Sequence, residues 1–335
     1  MKAARISKPG ADFEIVEVDA PQPKRNEVLI KVQACGICHS DVFVKDGLFP
    51  GIDYPRIPGH EIVGLVESVG EDVTEWKKGQ RVGVGWHGGH CFTCASCRRG
   101  DFINCQNAQI TGISYDGGYA EYMVAPREAL ALVPESLQSA EAAPLLCAGV
   151  TTYNALRNAG GRPGDVVAVQ GIGGLGHLGI QYAKKMGFHT IAISSSDDKK
   201  ALAEKLGADA FIDYKKEDPA KKLQEMGGAD IILATAPNSE SISALKGGLK
   251  SNGKLMIVGV DGAPLEISPM DLIMGKKEVT GWASGTAMDS EDTLNFSALF
   301  NATSMVETFP LDKAAEAYDK MIQNKARFRT VLVME

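Results

Sequence analysis

Cys91, Cys94, Cys97 and Cys105 place four thiols within fifteen residues. Thiolate sulfur is a preferred zinc ligand, and four of them close a tetrahedral structural site with no open position. A second group of possible ligands is scattered: Cys38 in Cys35-Gly-Ile-Cys38-His39-Ser40-Asp41, the pair His60-Glu61 after Gly59, and Cys147 in Leu146-Cys147-Ala148-Gly149. Taken one at a time, His60 and Cys147 are more often buried structural residues than ligands. The seven cysteines are an odd number, which argues against a complete disulfide framework. In a reducing compartment, close cysteine spacing favours metal.

Gly171-Ile-Gly173-Gly174-Leu175-Gly176 matches the glycine fingerprint of dinucleotide-binding folds. The match gains weight because an expected strand precedes it and an expected helix follows. The first Gly allows a tight turn, the second lets backbone approach a pyrophosphate, and the third lets helix and strand pack closely. An NAD site of this type ends its second strand in Asp or Glu. Here that place reads Ser194-Ser195-Ser196, with Lys199 just beyond. Loss of the carboxylate removes repulsion against a 2′-phosphate, and hydroxyls with a lysine hold one, so NADP(H) is favoured over NAD(H). The alternative for Ser196 or Asp197 is an N-cap on the following helix, which is compatible with phosphate binding.

Two kinds of scaffold are expected around these groups. Residues 1 to about 148 carry short β-branched runs, such as Val28–Val32 and Ile62–Val66, punctuated by Gly and Pro. From about 150 strands alternate with helices: Val166–Gln170, a helix over Leu175–Met186, Thr190–Ile193, a helix over Lys199–Leu206, then Phe211–Ile212, Ile231–Leu233 and Lys254–Val258. That alternation predicts a doubly wound parallel sheet. The tail from about 285 is mixed, with an amphipathic helix over Leu311–Asn324 and a closing strand over Thr330–Val333. At 335 residues, two domains are expected. With 35 Lys and Arg against 42 Asp and Glu, the net charge of −7 gives no footprint for nucleic acid or an anionic membrane. The longest charge-free run, Val166–Ala183, is broken by five glycines and makes a poor transmembrane helix. No secretory signal is visible, so a cytoplasmic location is expected.

Taken in order, these motifs resemble the zinc-dependent alcohol dehydrogenases of the medium-chain dehydrogenase/reductase superfamily. The Ser194–Asp197 run and Gly83-Val-Gly-Trp86 lean towards the cinnamyl-alcohol-dehydrogenase-like aldehyde reductases. The resemblance extends from the first strand to Arg329. It implies an α/β chain: a GroES-like, mostly β catalytic domain over 1–148, completed by 284–335, and a Rossmann domain over 149–283. It implies that Cys38, His60 and Cys147 bind a catalytic zinc, and that Glu61 swings onto the metal during ligand exchange. It also implies that Asp41 orients His60 and that Ser40 binds the substrate oxygen and starts a proton relay. His39 and Arg329 match cationic positions near the pyrophosphate, Thr151 packs behind the nicotinamide, and Leu175 and Val258 join the cofactor contacts. Trp86 resembles a wall of the substrate pocket, with Leu48, Phe49 and Trp282 as weaker candidates. Many relatives carry a histidine a few residues after the relay hydroxyl; here the stretch reads Asp41-Val-Phe-Val44, without one.

The expected activity is interconversion of a primary alcohol and its aldehyde with NADP(H) and two Zn²⁺ per chain, one catalytic and one structural. The same chemistry with NAD(H), or on secondary alcohols or polyols, is the alternative. A homodimer or homotetramer is expected. Two non-enzyme alternatives are weighed: a zinc-ribbon binding module, disfavoured by the acidic balance, and a structural relative, which would have lost zinc ligands that this chain retains.

Overall fold

The computed structural model describes residues 1–260 and 262–334, the Asp197 side chain set aside. The chain divides into two compact units: Met1–Val150 with Ser284–Glu335, and Thr151–Ala283.

The first unit is built on the strand Glu27–Ile37. Its β-branched residues Val28, Ile30 and Val32 share one face and enter the apolar core, as a period of two requires. The strand pairs antiparallel with Ile62–Val69, Tyr122–Pro126 and Arg329–Val333. The first and last of these carry the sheet outward, through Arg81–Val84 to Leu130–Leu132 on one side and to Val306–Pro310 on the other. Each fully buried Val, Ile or Leu contributes roughly 1.5–3 kcal/mol to holding this sheet closed. The pairing with Ile62–Val69 shifts register between Val32 and Ala34. A bulge of this kind flips the pleat. Past it, Cys35 and Ile37 face the core in place of even-numbered residues, and Gly36 faces the other way, towards Glu61.

The second unit carries a six-stranded parallel sheet among the described residues. Its spatial order is Ala210–Asp213, His189–Ser194, Val166–Gln170, Ala229–Ala234, Leu249–Ile257 and Glu278–Gly281. Counted within the unit this is 3-2-1-4-5-6, the doubly wound arrangement, whose ligand crevice opens at the carboxyl ends of the strands. The strands read as continuous apolar runs because both faces are covered; Val167, Ala168 and Val169 have no exposed surface. The α/β class therefore holds, with one mostly β unit and one doubly wound unit. The expected helices over Leu175–Met186 and Lys199–Leu206 are observed at Gly176–Lys185 and Lys200–Leu206.

The tail is more regular than its sequence suggests. Ala287–Phe300 forms a 14-residue helix. Thr286 caps it by accepting the Asp289 N–H, and Asp289 returns a carboxylate to the Thr286 N–H at 2.8 Å. Val306–Pro310 then runs parallel to Arg329–Val333, with the helix Ala314–Ile322 between them. The segment Leu311–Lys313, expected as that helix's first turn, is a 3₁₀ turn.

At Gly176 the backbone leaves no room for a side chain: a Cβ would overlap the Gly171 carbonyl oxygen. Gly176→Ala is expected to destabilise the second unit by about 1–3 kcal/mol through overpacking. Urea unfolding would measure it, and an unchanged midpoint would contradict this packing.

Candidate metal and cofactor sites

The three adjacent strands of the first unit end at one place. Cys38 follows Glu27–Ile37, His60 and Glu61 precede Ile62–Val69, and Arg329 opens Arg329–Val333. Cys35 stands opposite Ile62 and Ile37 opposite Thr330, and the Gly36 N–H donates to the Glu61 carbonyl at 2.9 Å. Cys147 arrives from the turn after Ala143–Leu146. The donor atoms of Cys38, His60, Glu61 and Cys147 all lie within 4.8 Å of one another. The two thiol sulfurs are 3.7 Å apart.

The surroundings prepare these atoms for a cation. His60 presents Nδ1 to Asp41 Oδ1 at 3.2 Å, and its Nε2 is buried without a hydrogen-bond partner. A buried polar nitrogen left open is costly, and beside two thiols it is the arrangement a metal ligand has, with the carboxylate fixing the tautomer. Asp41 Oδ2 accepts the Cys38 N–H and the Tyr119 hydroxyl, both at 2.8 Å. Burial pulls the His60 pKa down, but Asp41 and Cys38 outweigh it and leave the imidazole well above its ordinary value. The proton shared with Cys147 holds the Cys38 thiol well below its ordinary value, aided by His60 and against burial, and pushes Cys147 well above its own.

Glu61 has no exposed surface. Burial raises its carboxyl to about 7 even with the Arg329 guanidinium beside it. Arg329 donates to Oε1, while Oε2 has no partner and rests where a Gly36 side chain would be. Arg329, expected near a pyrophosphate, is thus buried against Glu61. Among the other expected residues, His39 is exposed and Ser40 half-buried in the short turn after Cys38. The Trp86 ring meets His60 edge-on at 4.8 Å and Phe43 at 6.4 Å, which places it against this group of donor atoms. Phe49 packs on Phe43 at 6.2 Å, and Leu48 is largely exposed. Trp282 lies in the second unit, just after Glu278–Gly281. Sequence reasoning missed Gly36 and Tyr119. Gly36 had a signal in its place between Cys35 and Cys38; Tyr119, in the bend before Tyr122–Pro126, had none.

Cys91, Cys94, Cys97 and Cys105 form the second set, again with sulfurs within 4.8 Å and all thiols free. Backbone N–H groups of Cys91 and Asn107 point at Cys105 Sγ, both at 3.3 Å, and that of Cys94 at Cys91 Sγ at 3.4 Å. Hydrogen bonds from Thr93 and Asn107 lower Cys91 to about 5, while burial and the neighbouring thiols push Cys97 to about 12. The lobe is made of turns and one 3₁₀ segment, Cys97–Arg99. His87 and His90 share a 3.0 Å nitrogen–nitrogen contact beside it, and burial lowers His87 to about 4.

In the second unit Gly171 turns the chain at φ +92°, and a Cβ on Gly173 would meet nothing within 4 Å. That leaves open backbone at the start of the helix Gly176–Lys185, as an approaching phosphate requires. Leu175 is the residue before that helix. Lys199 donates Nζ to the Ile172 carbonyl at 3.3 Å, so its ammonium lies at this turn. Ser194 is the buried last residue of its strand, and Ser195 and Ser196 are half-buried after it. The carboxylate in register with Ser194 is Asp213. It accepts the Lys215 N–H at 3.0 Å and lies 4.0 Å from Lys216 Nζ. Thr151 is buried in the helix Ala148–Asn158, and Val258 follows Leu249–Ile257. A cavity of about 240 Å³ at the carboxyl ends of the strands is lined by Gln170, Ile193, Tyr214, Asn238 and Ser241, among others. No helix of the described residues is long and apolar enough to cross a membrane.

Residues 24–135 match the alcohol dehydrogenase GroES-like domain family, and residues 174–300 the zinc-binding dehydrogenase family. An alcohol dehydrogenase of Penicillium expansum is 47% identical over 99% of this chain and 97% of its own. Among solved structures, a cinnamyl alcohol dehydrogenase from Sorghum bicolor is 33% identical at TM-score 0.89, covering 99% of this chain and 97% of that one. The Helicobacter pylori cinnamyl alcohol dehydrogenase complexed with NADP(H) is 28% identical at TM-score 0.88, covering 99% and 97%.

The Glu61–Arg329 pair generates a stability expectation with a definite pH sign. Glu61 holds its proton more tightly folded than unfolded, so its contribution falls as pH rises from about 4.5 to about 7. In Arg329→Gln the carboxyl loses its cation and this window extends further upward. The variant is expected to lose about 3–5 kcal/mol at pH 8 and distinctly less at pH 5. Urea unfolding at the two pH values measures it; an equal loss at both would contradict the pairing.

Proposed function

Because the chain belongs to the zinc-binding alcohol dehydrogenases of the medium-chain dehydrogenase/reductase superfamily, on the side of the cinnamyl alcohol dehydrogenases, we propose that it interconverts primary alcohols and aldehydes with NADP(H). The chain is an oxidoreductase acting on alcohols; the cofactor and substrate class are our reading. The observation that carries the assignment of the reaction centre is the open Nε2 of His60, buried beside two thiols and backed by Asp41. Cys38, His60 and Cys147 hold a zinc ion in this reading. Three protein ligands are what a catalytic zinc takes when one position is left for substrate.

When bound, the zinc supplies Lewis acidity to the substrate oxygen, and the nicotinamide accepts or gives the hydride. The chain's own residues do the rest. Asp41 keeps His60 in the tautomer that offers Nε2. Ser40, two residues after Cys38, hydrogen-bonds the substrate oxygen and during oxidation passes its own hydroxyl proton on to the cofactor ribose as it receives the substrate's. Trp86, edge-on to His60, shields one side of the ligand set from water. Arg329 balances Glu61, so this second carboxylate near the ligands does not stand uncompensated. The Cys91, Cys94, Cys97 and Cys105 set holds a second, structural zinc that substitutes for packing in a lobe made of turns.

NADP(H) over NAD(H) is supported by three observations. A serine run stands where a carboxylate would repel the 2′-phosphate, Lys199 lies at the glycine turn, and the Asp213 oxygens are directed to Lys215 and Lys216.

Metal analysis is expected to return two zinc ions per chain. Cys38→Ser should lose one, together with aldehyde reduction. Cys97→Ser should lose the other and lower the unfolding midpoint by roughly 5 °C or more; full activity in Cys38→Ser would overturn the catalytic set. NADPH should bind more tightly than NADH. Lys199→Ala should weaken NADPH about 10- to 100-fold, as for a lost charge-assisted hydrogen bond, and leave NADH nearly unchanged. Fluorescence titration of both cofactors decides this, and tighter binding of NADH would reverse the assignment.

A further inference from the structure

Tyr119 has no exposed surface, yet it carries a phenol hydroxyl. A buried hydroxyl is retained at a cost unless it is bonded. Phenylalanine would fill nearly the same volume and pack equally against Phe13, whose ring centre lies 6.0 Å away. The hydroxyl therefore needs its own reason. It donates to Asp41 Oδ2 at 2.8 Å. That oxygen also accepts the Cys38 N–H at 2.8 Å, and Asp41 Oδ1 faces His60 Nδ1 at 3.2 Å. One carboxylate thus meets a ligand imidazole, the backbone of a ligand cysteine and the Tyr119 phenol.

The rest of Tyr119 grips the other side of the same ligand. Its N–H donates to the Pro58 carbonyl at 3.0 Å. Its ring lies against Gly59, the residue before His60, so closely that a Cβ on Gly59 would run into it. Gly59 also holds φ at +103°, a conformation that glycine tolerates and other residues rarely adopt. His60 is therefore fixed from two directions by one side chain: through Gly59 by ring contact, and through Asp41 by a hydrogen bond.

We propose that Tyr119 is a positioning residue for the catalytic metal, its hydroxyl holding Asp41 in the orientation that turns His60 Nε2 towards Cys38 and Cys147. The hydroxyl also draws on the Asp41 charge and so limits how strongly that carboxylate pulls on the imidazole proton. This rests on the reading of Cys38, His60 and Cys147 as metal ligands.

The test is Tyr119→Phe, which removes one oxygen and keeps the ring on Gly59. Release of zinc to a chelating dye should show two phases in the wild type. In the variant the phase that Cys38→Ser abolishes should quicken about 10- to 100-fold, the range for loss of an outer partner of a metal ligand. The phase that Cys97→Ser abolishes should not change. The cobalt-substituted variant should show shifted visible absorption bands, which a loss of packing elsewhere would not produce. In an Asp41→Asn background the same substitution should change release less than twofold, because Tyr119 acts through Asp41. Equal release rates and identical cobalt spectra in wild type and Tyr119→Phe would overturn the proposal, whatever happens to overall stability. So would an undiminished effect in the Asp41→Asn background. Failure of the underlying metal reading registers separately, as equal cobalt content in wild type and Cys38→Ser.

Discussion

The antiparallel pairing of Glu27–Ile37 with Ile62–Val69 and Arg329–Val333 sets Cys35 opposite Ile62 and Ile37 opposite Thr330. The residues just beyond those pairs are Cys38, Glu61 and Arg329. A slip of one residue in either pairing would send alternate side chains to the opposite face, separating the sulfur from the imidazole and the carboxylate from its guanidinium. The apolar side chains of Val28, Ile30, Val32, Cys35 and Ile37 resist such a slip because they occupy one core. Hydrophobic burial thus fixes the register, and the register fixes a polar cluster in which every group is buried. Such a cluster is costly to assemble and is held by a sheet that has no freedom to readjust.

The two donor sets use different means. The Cys91–Cys105 lobe brings its thiols together within a short local loop, where backbone N–H groups already point at sulfur. The Cys38–His60–Cys147 set is gathered from strands and turns distant in sequence and needs supporting carboxylates to orient it. The local set asks little of the fold; the dispersed set requires the whole sheet. In the second unit the demand is steric, because Gly171, Gly173 and Gly176 act through the absence of a side chain.

These differences explain what could be read from the sequence. Local spacing announced the thiol lobe and the glycine turn, and uninterrupted apolar runs announced the parallel strands. The dispersed donors became visible only through resemblance, since no spacing rule links Cys38 to Cys147. The bulge after Val32 left no trace in composition, so the reversal that aims Gly36 at Glu61 was not legible. The helix Ala287–Phe300 was missed for a different reason: its apolar residues form no stripe, and Met288, Leu299 and Phe300 are exposed. Its capping pair, Thr286 and Asp289, was the available signal. Tyr119 went unnoticed because an aromatic beside glycines in a loop is ordinary until its hydroxyl is found on Asp41.

The first unit is made from two separate stretches of chain, with the second unit inserted between them. During synthesis the strand Glu27–Ile37 emerges early, but its neighbour Arg329–Val333 leaves the ribosome only after the whole inserted unit. The doubly wound unit is able to complete its sheet first, while the other waits with the Ala34–Ile37 end of its central strand lacking one neighbour. Arg329 then arrives after the inserted unit, and until it does Glu61 lacks its guanidinium partner. The order of emergence leaves the Glu61–Arg329 pair to form only after the inserted unit has been made. A nascent chain stalled short of Arg329 would hold a finished doubly wound unit and an unfinished first unit.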